Sequence, residues 1–290
     1  MSNCTHCGKP AGMFRSYHAD CRAQFERAIK TIPAFFEKLL HSLLPAERFE
    51  QLLNEVAATF HIGPDRLRTL SMTGIRAMLD SALSQHIPTV ADEDRILDIA
   101  STLGLSVSDI PGLTDQFVKI SVLRDLDDGR IPDQVTVVGP MPFELDRGET
   151  IIWIFNGVKS YRQPKQKEPT IANATLPTRR DLPDYLSPAS LGSGRAQVRE
   201  WLEMGAGDLM ITDRHIFVVS EDRHRQIPLT KVATLNTSVD GFQIRRFADD
   251  RAMTFIVDDP WFAANLIIRL MRLPSNLPAR QHETGSADVK

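Results

Sequence analysis

From about Arg22 to Asp128, apolar residues return every three or four positions, the period of an amphipathic helix. The first such stretch, with Phe25, Ala28 and Ile29, begins directly after Cys21 and is expected to break or kink at Pro33. Further helices are expected at Phe35 to Leu44, Ala46 to Phe60, Thr73 to His86, Asp92 to Leu103 and Thr114 to Leu126. Their stops are Pro45, Gly63-Pro64, Pro88, Gly104 and Gly129. Asp92-Glu93-Asp94 puts negative charge at a helix start, where the macrodipole favours it.

Past Gly129-Arg130-Ile131-Pro132 the period changes to that of strands. Gln134 to Val138 and Thr150 to Phe155 are rich in β-branched and aromatic residues. Short strands are then expected at Arg195 to Leu202, Asp208 to Ile211, His215 to Ser220, Arg225 to Ile227, Lys231 to Ser238, Phe242 to Phe247 and Ala252 to Val257. Met204-Gly-Ala-Gly207, Thr212-Asp-Arg214, Asp240-Gly241 and Ala248-Asp-Asp250 read as the turns between them, Asp240-Gly241 as a hairpin. Residues 162–190 carry five prolines amid polar filler and read as a long loop or insertion. Asp259-Pro260 caps a final helix, Trp261 to Leu273, so apolar around its circumference that it must lie on the sheet.

The expected class is therefore α+β: a head over residues 1–30, a helical body over 31–130, a β domain over 131–274 with its insertion at 162–190, and a polar, disordered tail over 275–290. A chain of 290 residues has room for these parts. A net charge of −3 excludes a global basic footprint, so any basic surface must be local. No apolar run approaches a membrane span and residues 1–21 lack the apolar core of a secretory signal, which leads us to expect a soluble, cytoplasmic protein.

All three cysteines lie within the first 21 residues. They read C-x2-C, ten residues, H-x2-C: Cys4, Cys7, His18 and Cys21. Two sulfurs two residues apart meet one ion when the backbone turns tightly, which Gly8 permits, and His18 and Cys21 share one face if a helix begins there. So few large apolar side chains accompany them that the head needs a staple, and the expected one is structural Zn2+ with a closed set of four ligands. His6 competes with His18 for the nitrogen position, but its place between Cys4 and Cys7 turns its ring away. A redox role for Cys4 and Cys7 lacks the strand that a thioredoxin-like context requires.

Three segments carry a resemblance to a family: Gly207-Asp-Leu-Met-Ile-Thr-Asp-Arg-His-Ile-Phe217, Gln226-Ile-Pro-Leu-Thr-Lys-Val232 and Gly241-Phe-Gln-Ile-Arg-Arg246. Over residues 195–273 the chain resembles the pleckstrin-homology superfold in its GRAM-like, bacterial form. The wider layout, with the N-terminal CxxC/HxxC zinc knuckle and Leu145-Asp-Arg-Gly-Glu149 ahead of Ile152-Trp-Ile-Phe155, resembles uncharacterised bacterial proteins. The resemblance implies a β-barrel or sandwich capped by one C-terminal helix, and no known reaction. It also implies that basic residues at one open end of the sheet, Arg223, His224, Arg225, Arg245 and Arg246, form a ligand-binding patch for acidic head groups or peptides. Solvated strand faces account for the same arginines without a ligand. Arg179, Arg180, Arg195 and Arg199 form a second group around the insertion.

Gly192-Ser-Gly194-Arg195 lacks the Lys-Ser/Thr of a P-loop and reads as a turn entering a strand. Asp125-Leu-Asp-Asp-Gly129 lacks the spacing of a calcium loop and reads as a helix end. With no nucleophile-base set in view, the expectation is a non-enzymatic adaptor that binds a protein, peptide or lipid through the β domain. The alternative is a nucleic-acid-binding regulator using the basic head, where Lys9, Arg15, Arg22, Arg27 and Lys30 face only Asp20 and Glu26. A third is peripheral attachment to anionic lipid through the basic β end, without an amphipathic anchor to help it.

Overall fold

The computed structural model describes residues 3–12, 15–40, 42, 44–132, 141, 143–164, 182–198, 200–220, 223–247 and 249–276. The expected strand at Gln134 to Val138, residues 165–181 of the insertion and the tail beyond Asn276 lie outside them. The chain divides into two compact units, Met1–Ser121 and Val122–Lys290.

The first unit is helical. Helix α1 spans Ala19–Leu39, α2 Ala46–Thr59, α3 Pro64–Gln85 and α4 Val90–Thr102, and α5, Leu113–Asp127, begins in it. Pro33 does not break α1, which runs through it. The apolar face of α1 stays in register across the proline, with Ala28, Ile32, Phe36 and Leu39 all buried, so tertiary packing outweighs the lost backbone hydrogen bond. Helix α2 ends ahead of Gly63-Pro64 as expected, but α3 begins at Pro64 instead of Thr73: the proline takes the first helical position, where a missing N–H costs nothing. Gly74 in α3 lets α1 approach, since a Cβ there would stand 2.3 Å from the Phe36 ring. Phe36 meets Phe49 of α2 edge-to-face at 4.8 Å. Helix α4 opens with a capping box in which the Thr89 side chain accepts from Asp92 N and the Asp92 carboxylate from Thr89 N.

The second unit is a seven-stranded antiparallel sheet with one helix, so the molecule is α+β. Its strands are β1 (Ile151–Arg162), β2 (Leu202–Thr212), β3 (His215–Ser220), β4 (Arg223–Pro228), β5 (Val232–Ser238), β6 (Gly241–Arg246) and β7 (Asp249–Ile256), in the order β4-β3-β2-β1-β7-β6-β5. One face carries the core, with Leu209, Ile211, Ile216, Ile227, Phe242, Ile244 and Phe255 buried. The Asp240-Gly241 hairpin forms as expected and pairs Ser238 with Gly241. Gly241 is required there, because a Cβ would lie 2.1 Å from Phe255 O on the next strand.

Two expectations in this region fail. Among the described residues from Arg195 to Trp201 there is no strand, and only Leu202 enters one, as the start of β2; Gly192 packs under Thr237 O, and Ala196 N donates to Asp240 Oδ1, which spends this backbone on the hairpin instead of a ladder. Met204-Gly-Ala-Gly207 is no turn but the first half of β2, paired with β1 through a bulged register. The glycines there serve close approach: a Cβ on Gly207 would sit 1.8 Å from Val219 O.

Helix α6, Pro260–Arg272, follows the expected cap, with Phe262 N donating to Asp259 at 2.9 Å. Every residue from Pro260 to Met271 is buried. Its apolar circumference has a cause the sequence does not display: the far side of the insertion closes over it. Trp261 Nε1 and Asn265 Nδ2 both donate to Leu186 O, and Leu186 N donates to Asn265 Oδ1. Arg269 is buried and paired with Asp127 at 2.8 Å. The supposed tail likewise begins later than Ser275, because Asn276 is buried and donates to Asp213 O and Leu270 O.

Candidate functional sites

Cys4, Cys7, His18 and Cys21 form a candidate metal site, their ligand atoms lying within 4.8 Å of one another. The local backbone explains why. Gly8 N donates to Cys4 O at 2.9 Å, and Gly8 itself adopts φ of 70°, a left-handed turn that glycine enters without strain. Cys4 N donates to Lys9 O, and Asn3 bridges Pro10, so the first ligand pair sits on a closed knuckle. The second pair comes from the start of α1: His18 is its N-cap residue and Cys21 lies in its first turn.

The ring of His18 is oriented from both sides. Its Nδ1 lies 3.4 Å from Cys7 Sγ and 3.7 Å from Cys21 Sγ, while Nε2 donates to Pro10 O at 3.0 Å. A proton on Nε2 leaves the Nδ1 lone pair aimed at the sulfurs, the arrangement in which an outer hydrogen bond fixes the ligating tautomer. His6 is spent elsewhere, with its ring 4.4 Å from that of Phe25.

Charge also favours a cation here. Burial opposes ionisation of Cys4, yet backbone N–H groups of His18, His6 and Cys7 point at its sulfur and bring its pKa down to about 6. Burial and the neighbouring sulfurs of Cys7 and Cys4 push Cys21 up to about 11. One thiolate is welcome and the next is resisted. A divalent cation removes that resistance by neutralising them together.

The basic patch expected from sequence is divided by the structure. The side chain of Arg223, with Arg179, Arg180 and Arg199, lies outside the described residues, and Arg195 is exposed. Arg225 and Arg246 come together with two arginines the sequence reading left out, Arg162 and Arg251, around the single carboxylate of Asp249. Arg245 stands on the neighbouring rung, opposite Thr234. Burial by itself would raise the Asp249 carboxyl, but hydrogen bonds from Arg246 at 2.6 Å, from Arg251 at 3.1 Å and from Arg162 hold it well below the usual carboxylate range. The missed signal is alternation: Arg251 is two residues from Met253 and four from Phe255, and both of those face the core.

A second group also escaped the sequence reading. Buried Glu149 receives the Thr212 hydroxyl and His215 Nδ1, the latter at 2.8 Å, on one carboxylate oxygen, and Asp146 N on the other. Burial would raise the Glu149 carboxyl, and these three donors lower it. Though Asp146, Glu149 and His215 are close enough to share an ion, this carboxylate is already satisfied by donors that lock the β2–β3 turn against the entry to β1. At the Gly129 end of α5, Arg130 pairs with Asp125 and Asp128, and Gly129 has φ of 73°, as a helix terminus requires.

No protein-family model matches the chain, and no curated protein matches it. Among the described residues, no helix is long and apolar enough to cross a membrane.

Proposed function

We propose that this protein is a non-enzymatic interaction protein in which zinc staples the head and a pleckstrin-like sheet domain binds a protein partner. The observation that carries the partner reading is a mixed surface at one sheet end. Leu202 opens β2 opposite Arg162, and Phe247 follows Arg246 in the β6–β7 turn; both are large apolar side chains, 58% and 63% exposed, beside a cationic cluster. Exposed apolar residues rimmed by arginine are the composition of a recognition surface. The strand order, four strands joined to three and closed by one helix, supports the pleckstrin-like reading.

Zinc is the ion that suits the head. Tetrahedral bonds of about 2.3 Å to sulfur and about 2.1 Å to nitrogen place ligand atoms about 3.5 to 3.8 Å apart, and the His18 Nδ1 to sulfur separations of 3.4 and 3.7 Å fit. Three thiolates and an imidazole leave no open position, so the ion would hold structure and supply no reaction. On the nucleic-acid alternative, Arg22 is committed to Glu26 at 2.7 Å and to the Tyr17 hydroxyl, which leaves the head less basic than its sequence.

The test is affinity capture with the full chain beside its Leu202→Asp, Phe247→Asp double variant. A protein retained by the former and lost by the latter supports the reading. Equal recovery with both, or turnover of a small substrate that depends on one side chain, overturns it.

A further inference from the structure

The far side of the insertion lies on α6 and β5 as a ligand lies in a groove. Between Leu182 and Ala196 the chain has no strand and no α-helix, and Leu182 is its only buried side chain. The receiving surface is the opposite: Trp261 and Arg269 are buried, and Asn265 is 0% exposed. A segment that buries so little apolar surface is weakly held, whereas the helix beneath it is fixed by the core.

What holds the segment is its main chain. Leu186 is read at both of its backbone groups: its N–H donates to Asn265 Oδ1 at 3.1 Å, and its carbonyl accepts from Asn265 Nδ2 at 2.9 Å and from Trp261 Nε1 at 2.8 Å. Leu182 O accepts from Arg272 at 3.0 Å, Gly194 O accepts from Val239 N just past β5, and Ala196 N donates to Asp240. Gly192 lies so close to β5 that a Cβ would stand 2.4 Å from Thr237 O. The ion pair of Asp184 with Arg272 involves an almost fully exposed carboxylate, and such pairs contribute little.

Asn265 is oriented for this reading. Its Oδ1 also accepts from the Arg269 guanidinium at 3.1 Å, which Asp127 holds in turn, and its Nδ2 also donates to Trp261 O at 3.0 Å. Arginine can only donate, so the amide cannot be turned over. It presents one acceptor and one donor outward, the complement of a single residue of extended peptide. Without an occupant, these atoms and the indole N–H would each lose a partner at a buried place, which costs free energy. The groove therefore requires a segment, and main-chain recognition sets few demands on which chain supplies it.

We propose that the α6–β5 groove is a peptide-binding site, filled here by the chain's own residues 182–196 and open to an extended segment of a partner protein that displaces them. The segment in place gives the chemistry of the incoming one: an aromatic residue beside Trp261, as Tyr185 is, then an aliphatic residue whose N–H and carbonyl both pair with Asn265, and a glycine where β5 approaches. The proposal goes beyond the partner reading above, whose surface is the rim at Leu202 and Phe247, and either can fail alone.

The probe is a synthetic peptide of residues 182–196, titrated by calorimetry into the full chain and into its Leu186→Pro variant. Proline removes the Leu186 N–H and unseats the segment in cis. The variant is expected to bind the peptide saturably, and the same peptide carrying Leu186→Pro is expected not to bind. The parent chain is expected to bind at least about tenfold more weakly than the variant, because its own segment competes at an effective concentration in the millimolar range. Absence of saturable binding by the folded variant at millimolar peptide, or equal binding by parent and variant, overturns the proposal. Amide exchange on the parent chain needs no variant and decides if Leu186→Pro does not fold: residues 182–196 are expected to lose protection while 260–272 keep theirs. Loss of both together would mean that the segment never leaves without the helix, and overturns the proposal. A dimer of the parent chain that Leu186→Pro abolishes, seen by light scattering, would give the groove to a second copy and overturn the partner assignment.

Discussion

The head and the β domain solve the same problem by opposite means. Residues 3–25 offer a knuckle of backbone hydrogen bonds and four converging donor atoms, with Cys4 and Ala11 as their only buried apolar side chains among the described residues. The β domain buries Phe217, Phe242, Phe255 and Phe262 completely or nearly so and encloses a whole helix. One region is short of apolar surface and offers a candidate metal site in its place; the other has apolar surface enough to tolerate charged residues at the end of its core. The difference teaches where each is vulnerable: the head to loss of one ligand, the sheet to loss of volume.

Removing a ligand is the most severe way to break the comparison. Cys21→Ser is expected to abolish stoichiometric zinc and to release the head, since zinc binding is worth about 10 to 16 kcal/mol in finger peptides at neutral pH. Elemental analysis would show the metal lost, and amide exchange would show protection lost over residues 3–25 while the sheet keeps its own. Retained protection in the head would mean that it folds without coordination.

Loss of volume is the converse. Phe255→Ala is expected to destabilise the β domain by about 3 to 5 kcal/mol, through lost transfer energy and the cavity left behind. Denaturant unfolding followed by the tryptophans, all three of which lie in that unit, measures this. Zinc content is expected to be unchanged. Parallel loss of the metal would show that the two regions do not stand independently.

Acid sharpens the contrast further. Glu149 and Asp249 both have carboxyls held below their ordinary range, so their contribution is complete above the unfolded values of about 4.3 and about 3.9 and is lost as pH falls through the lower folded values. The melting temperature of the β domain is expected to be level near neutrality and to fall only below about pH 4. Glu149→Gln is expected to lower the plateau and flatten that slope. An unaltered acid limb in this variant would remove Glu149 from the account.

The smallest effect lies outside both regions. Thr89→Ala deletes one half of the capping box of α4 and is expected to cost about 1 kcal/mol, read as a small shift in thermal unfolding. Zinc content and the acid limb are expected to stay where they were.

Much of this was legible along the chain. The cysteine spacing, Gly8 and the helix after Cys21 marked the candidate metal site before any coordinates, because a knuckle is a local object whose donors are close in sequence. The caps at Thr89-Asp92 and Asp259-Pro260 and the hairpin at Asp240-Gly241 were local for the same reason, although only Asp259-Pro260 and the hairpin were read in advance. Other elements were misread where distant packing outweighed local preference. Pro33 stays inside α1 because Ile32 and Phe36 are buried, and Gly205 and Gly207 continue β2 because neighbouring backbone lies too close for a side chain.

By itself, the sequence determined the class of the fold, the candidate ligand set of the head and the caps and turns that punctuate it, because each depends on residues within one turn or hairpin. Only the tertiary structure decided which arginines meet. Arg162, Arg225, Arg246 and Arg251 are spread over 90 positions, and nothing local distinguishes them from solvated strand residues. Strand register brings them to one end of the core face, where Arg162, Arg246 and Arg251 pair with the one carboxylate of Asp249.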